Sequence, residues 1–463
     1  MTTTMKSEDG LPPALEYSRH GRTGRWIDDW RPEEPGFWAA TGSAVARRNL
    51  SFSIFSEHIG FSVWTMWSAL VLFLGPKYGI DPAGKFVLTA VPALTGSVLR
   101  LPYTFAVAKF GGRNWTAFSA AVLIVPCVLA ATVLQPGVSY STLLIVAAIA
   151  GVGGGNFASS MANINAYYPE RYKGRALGLN AGGGNIGVAA VQLVALLVLA
   201  TAGASHPRLV PGIYIPLVVL AALGSWLYMD NLSSARNDKR AMRDVRKDPH
   251  TWVISVLYIG TFGSFIGFGF AFGQVLQVQF KADFNTAINA AYLTFLGPLL
   301  GSLVRPLGGA LADRVGGALV TFWNFAAMAL GAATVLIASM QKSLPLFLTG
   351  FILLFVFSGI GNGSTYKMIP AIFRAKSRLK AETGADAGAA DREARRLSGA
   401  LIGIAGAVGA FGGVLVNLAF RQSFLEYKTG NAAYIAFIAY YAICFAVTWW
   451  VYLRPSGKRL PGV

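Results

Sequence analysis

Twelve long apolar runs, at residues 50–75, 86–109, 115–135, 141–168, 175–201, 209–230, 251–280, 287–311, 317–340, 345–373, 398–421 and 432–453, constrain this chain more than any other feature. A hydrocarbon layer about 30 Å thick is crossed by roughly 20 apolar residues in helical form. A backbone immersed in it must satisfy its own hydrogen bonds, which only helices and closed barrels do. The runs are continuous rather than alternating, which selects helices. Hydrophobic residues make up 54% of the 463 and charged residues only 13%, too few to coat a soluble particle of that size. The expected fold class is an all-α integral membrane protein with twelve transmembrane helices. The first 49 residues are mostly polar and contain no apolar leader with a small-residue cleavage site, so no removable signal is expected.

The formal net charge of +18 invites a nucleic-acid reading, but its distribution points elsewhere. Lys and Arg concentrate in the N-terminal arm, in the segments 110–114, 169–175, 231–250, 312–316 and 374–397, and in the C-terminal tail. The alternate segments hold Lys77, Lys85, Arg208, Lys281, Lys342, Arg421 and Lys428. By the positive-inside rule both termini and the central loop face the cytoplasm, and no nucleic-acid partner is expected. Cys127 and Cys444 both fall within apolar runs, which suggests neither a disulfide framework nor a metal site. The phosphate-cradling loop of an ATP-driven pump is not found in the sequence. No enzymatic activity, cofactor or metal is expected.

Two arginines interrupt the apolar runs in matching contexts. TGSVLR ends at Arg100 and LGSLVR at Arg305, 205 residues later, and each is followed eleven residues on by a glycine pair, Gly111-Gly112 and Gly316-Gly317. A duplicated chain follows from this: a cytoplasmic arm (1–49), a six-helix half (50–231), a cytoplasmic linker (232–250), a second six-helix half (251–453) and a cytoplasmic tail (454–463). Duplicated helical bundles bind their substrates between the repeats. Both arginines lie deep in their spans, where a charge faces a cavity or a partner rather than lipid. Glu57 is the one acidic residue clearly inside the spans, with Asp230 and Asp313 at their edges. An anion shared by two guanidinium groups is the preferred account, and pairing with a buried carboxylate the alternative. Glycines cluster in GVGGGNFASSMANINAYYP (151–169), in ALGLNAGGGNIGVAAVQL (176–193) and again in 398–418. Close helix packing explains glycines taken singly. The interleaved Asn156, Asn163, Asn180 and Asn185 add neutral amides able to orient an oxyanion.

The run from NFASSMANI through YYPERYKGRALGLNAGGGNIGV resembles the signature of the nitrate/nitrite porter family, the bacterial NarK-type porters of the major facilitator superfamily. DDWRPEEPGFW, LRLPYTFAVAKFGGRNWTAFS, LYIGTFGSFIGF, GGALADRVGG and GSTYKMI extend the resemblance along nearly the whole chain. It implies the major facilitator fold, two pseudo-symmetric six-helix halves in a bacterial cytoplasmic (inner) membrane, and transport of nitrate and nitrite by alternating access. It places the substrate-binding arginines at Arg100 and Arg305, the signature asparagine at Asn185, and aromatic cavity residues at Tyr258 and Phe262. With Asn156 these form the candidate substrate site. Gly182, Gly183, Gly184, Gly187, Gly406, Gly409, Gly412 and Asp313 are candidates for conformational roles, the glycines as smooth sliding surfaces. The protein is expected to work as a monomer.

Three residues depart from the exchangers of that family: Glu57 and His58 in SIFSEHIGFSVW and Lys367 in STYKMI. Titratable groups inside a membrane are candidate functional groups. Proton-coupled nitrate import is the reading taken forward; nitrate/nitrite antiport is the alternative, and transport of another small oxyanion a third. The segment 376–399 reads as a charged cytoplasmic helix or loop. The Trp-rich N-terminal arm is expected to lie on the membrane surface.

Overall fold

The computed structural model describes residues 25–234, 239–280, 287–455, 460 and 462–463. Long helices follow one another in the expected order: α1 (Ser43–Leu70), α2 (Pro82–Phe110), α3 (Gly112–Val133), α4 (Tyr140–Tyr167), α5 (Glu170–Thr201), α6 (Leu209–Tyr228), α7 (Pro249–Gln279), α8 (Ala290–Val315), α9 (Gly317–Gln341), α10 (Leu344–Glu382), α11 (Ala387–Tyr427) and α12 (Asn431–Leu453). Their starts carry local signals. Asp81 accepts from the Gly84 amide at 2.7 Å with Pro82 in the first turn of α2, and Asp386 caps α11 through Ala389 N at 2.6 Å. The repeated glycine pairs are the α2–α3 and α8–α9 corners, where Gly111 and Gly316 adopt φ values of 89° and 94° that side chains rarely tolerate.

Eleven of these helices are long and apolar enough to cross a bilayer by length and composition alone. Helix α1 is not among them, because it carries Arg47, Arg48, Asn49, Glu57 and His58. Its 28 residues are mostly enclosed by other helices, and an enclosed helix need not be apolar all round. Of the two forms expected for 376–399, helix or loop, the segment is largely helical, as the ends of α10 and α11 joined by a turn at 383–386. Lys380–Glu393 (2.6 Å), Lys376–Asp248 (2.5 Å) and Arg396–Asp244 (2.5 Å) tie these ends together and to the segment before α7.

The described part of the N-terminal arm folds back onto the first six helices. Trp26–Ile27 (β1) pairs in parallel with Asn231–Leu232 (β2), just after α6. Buried Asp230 receives Arg25 at 2.9 Å, Arg48 at 2.5 Å and Asn49 at 2.9 Å. Trp30 packs edge-on against Tyr167, and Trp38 against Tyr168. Glu33 accepts from the Glu170 amide at 3.0 Å, capping the start of α5 from a distance. These contacts hold the arm against the helices, with Phe37 and Trp38 buried and Trp26 and Trp30 partly so.

Candidate functional site

Two local departures from α-helical geometry shape the centre of the bundle. Within α4, Gly151–Gly155 winds as a 3₁₀ turn, and the carbonyl of Gly154 accepts from Arg100 Nε at 3.1 Å. Within α7, Ile259–Gly263 forms a π turn, a feature often found at functional sites. It begins just after Tyr258 and contains Phe262, and the two rings stack at 5.3 Å with 16° between planes.

Arg100 is fully buried. Its Nη1 donates to the carbonyl of Gly406 on α11 at 2.9 Å, reaching from the first six helices to the last six. Its guanidinium carbon lies 4.6 Å from the Phe157 ring, 4.8 Å from Phe262 and 5.3 Å from Trp64. Arg305 is held less firmly, with Nη2 3.4 Å from the Tyr258 hydroxyl and its guanidinium carbon 5.8 Å from Phe157 and 5.9 Å from Tyr366. The Phe157 ring is thus common to both cations. Among the described residues, Arg100 Nη2 and Arg305 Nη1 have no hydrogen-bonding partner, nor do the amides of Asn156 and Asn185 or the Tyr366 hydroxyl. Buried donors without partners are costly, and two cations that share an aromatic wall supply a positive, planar recognition surface.

Glu57 is buried on α1. Its Oε2 accepts from Ser160 Oγ and from Asn180 Nδ2 (2.7 Å), and Oε1 has no hydrogen-bond partner among the described residues. It lies within electrostatic reach of both Arg100 and Arg305 but makes no ion pair with either. The three expected titratable candidates do not meet. His58, the next residue along α1, approaches the Gly183 carbonyl at 3.2 Å. Lys367 is bonded to Asp313 at 2.7 Å, half-exposed, and the alternative left open above, a buried carboxylate paired with an arginine, is not formed by Glu57. Helical geometry explains the division: neighbours on a helix point about 100° apart.

The glycines expected to slide are mostly packed inside one set of six helices. Gly183 meets Ile54, Gly184 meets the Glu57 carboxylate and Gly187 meets the His58 carbonyl, all on α1. Gly409 meets Tyr258, and Gly412 meets Gly263 and Ile259, on α7. Gly182 faces open space, and Gly406 lies where the two sets meet. Phe157, Ser160 and Tyr366 were missed by the sequence reading. Phe157 sits in a segment where glycine and asparagine dominate the signal, although its place beside Asn156 could have drawn it out.

One side of the centre is closed. Phe86 stacks on Phe420 at 5.8 Å and on Phe424 at 5.5 Å, Thr89 donates to Asn417 Oδ1 at 2.8 Å, and Gln192 donates to the Gly269 carbonyl at 2.9 Å. On the side bearing both chain ends, a cleft of about 490 Å³, its open mouth included, leads to Arg100 past Thr104, Met161, Leu177 and Gly403.

Helices of bilayer-spanning length around a cationic, aromatic centre that opens on one face define a membrane carrier. A family model described as Major Facilitator Superfamily matches residues 50–390, and the chain belongs to that superfamily. The nitrate/nitrite transporter NarU of Salmonella typhimurium is 37% identical over 455 residues, covering 94% of this chain and 97% of its own. The probable nitrate/nitrite antiporter NarK2 of Thermus thermophilus is 34% identical over 463 residues, covering 94% and 98%. Among solved structures, a bacterial homologue of the human lysosomal transporter Spinster, inward-facing and occupied, aligns with a TM-score of 0.63 at 15% identity over 87% of this chain and 95% of its own. The xylose transporter XylE of E. coli, partially occluded and inward-open, gives 0.63 at 12% identity over 90% and 98%. At those identities the likeness is one of fold.

Proposed function

We propose that the protein carries nitrate and nitrite across a bacterial cytoplasmic membrane as a monomer, by rocking its halves, 50–231 and 251–453, about a central anion. The observation that carries this reading is the Arg100–Phe157–Arg305 arrangement, in which each guanidinium keeps a nitrogen without a partner among the described residues. Nitrate is planar, monovalent and weakly hydrated. Guanidinium forks and ring faces can replace its water, while neutral Asn156 and Asn185 orient it without adding charge. The names of the relatives support the same substrates. Both termini face the cytoplasm by the positive-inside rule, so the cleft is the cytoplasmic entrance.

Nitrate import is proton-coupled through Glu57. Protonating this carboxylate removes a negative charge from the neighbourhood of Arg100 and Arg305, so proton and anion binding reinforce one another, as reciprocal linkage requires. Exchange is the second reading, favoured by the name of the 34% identical antiporter. Two unneutralised arginines resist closure of an empty carrier, which is the behaviour of an exchanger. Proteoliposomes separate the two. Nitrate uptake driven by an inward proton gradient with no internal anion, and no longer responsive to that gradient in Glu57→Gln, supports symport. Uptake only against internal nitrite supports exchange, and neither, with intact controls, rejects these substrates.

A further inference from the structure

Two neutral side chains seat the carboxyl of Glu57. Ser160 Oγ donates to Oε2, and Asn180 Nδ2 donates to the same oxygen at 2.7 Å and to Ser160 Oγ at 2.9 Å. Ser160 Oγ also lies 3.1 Å from the carbonyl of Phe157, one turn back along α4. A serine hydroxyl has one proton to give and two lone pairs to offer, so the cluster has two self-consistent settings. With Glu57 ionised, the hydroxyl proton points at the carboxylate in a charge-assisted bond. With Glu57 protonated, the acid O–H donates to Ser160 Oγ, and the hydroxyl proton turns to the Phe157 carbonyl. Asn180 keeps its bond to Ser160 Oγ in both. Phe157 is also the residue whose ring both arginines share.

We infer that Ser160 is a positioning residue that seats Glu57 in both of its protonation states and ties them to the stretch of α4 carrying Phe157. The inference rests on the reading of Glu57 as the proton carrier. The charged and titratable groups within electrostatic reach of Glu57 are Arg100 from α2, Arg305 from α8 and Tyr366 from α10. Helix α5 presents Asn180 and Gly184, neither titratable, and His58 on α1 is directed to the Gly183 carbonyl. Among the described residues Ser160 is therefore the hydroxyl hydrogen-bonded to the carboxyl, and it reverses its polarity by the turn of a single O–H, where Asn180 would have to flip its whole amide.

The test is nitrate uptake against external pH in proteoliposomes holding the full chain, each curve normalised to its own maximum, for wild type, Glu57→Gln, Ser160→Ala and Ser160→Thr. Loss of the hydroxyl removes a charge-assisted bond from the ionised form and a weaker neutral one from the protonated form. The midpoint of Ser160→Ala should therefore move alkaline by about half to one pH unit, and Ser160→Thr should restore it. A purely structural defect lowers the plateau without moving the midpoint. An unmoved Ser160→Ala midpoint beside a flattened Glu57→Gln curve overturns the role of Ser160 and leaves Glu57 as the carrier. A Glu57→Gln curve identical to wild type overturns the proton reading itself, and the role of Ser160 with it.

Discussion

Replacing Arg100 by Lys keeps the charge and removes the geometry. Nε and Nη1 of Arg100 are committed to the carbonyls of Gly154 and Gly406, at 3.1 and 2.9 Å, and Nη2 remains for an anion. A lysine brings a single nitrogen, which cannot hold carbonyls on α4 and α11 and also meet nitrate in one plane. The anion then loses one charge-assisted hydrogen bond, worth about 2–3 kcal/mol, or roughly 30- to 150-fold in affinity. Calorimetric nitrate titration of the purified protein reads this directly, with the KM for uptake as a second measure and an unchanged elution profile as the folding control. Nitrate affinity within about threefold of wild type would show that charge alone suffices and would refute the geometric argument. Arg305→Lys should cost less, about tenfold, because Arg305 is tied to the protein only through the long contact with Tyr258.

Other sites give sharper contrasts. Lys367→Gln removes a half-exposed ion pair with Asp313, so the midpoint of the pH profile should stay in place and thermal stability change by less than about 1 kcal/mol. Gly184→Ala puts a methyl group on the Glu57 carboxylate. It should destabilise the purified protein by about 1–3 kcal/mol in a melting assay, with partial recovery when Glu57→Asp shortens the acid. Asp230→Asn leaves Arg25 and Arg48 without their shared buried anion, at a cost of about 2–4 kcal/mol. Limited proteolysis should then cut the N-terminal arm, and uncut arm at wild-type rates would count against this role for the carboxylate.

The helices were legible because apolar length is a local property that tertiary structure rarely reverses. Arg100 and Arg305 were legible for the same reason: a guanidinium deep in an apolar run is costly wherever it goes. What escaped depends on contacts between distant segments. Lys367 stood out as a titratable residue in a span, yet its partner Asp313 is 54 residues away and at the edge of another helix. The fate of the arm rested on two residues at 26–27 finding two at 231–232, a pairing that no pattern in either stretch announces. The glycines of α5 read as sliding surfaces in the sequence, and only the fold shows that Gly184 makes room for a carboxylate. Ser160 was hidden by its ordinariness, since a serine in a membrane helix usually bonds its own backbone.

The strap formed by the N-terminal arm has a mechanical consequence. By pairing Trp26–Ile27 with Asn231–Leu232, and by gathering Arg25, Arg48 and Asn49 around Asp230, it joins the entrance of the first six helices to their exit. Ser233 N, bonded to the Ile27 carbonyl at 3.0 Å, is the last backbone link of that strap. The first six helices are thereby closed into a loop whose two ends meet at one carboxylate. A pull on either end reaches the other through Asp230, so opening the loop there should loosen the start of α1 and the end of α6 together while leaving the anion site intact.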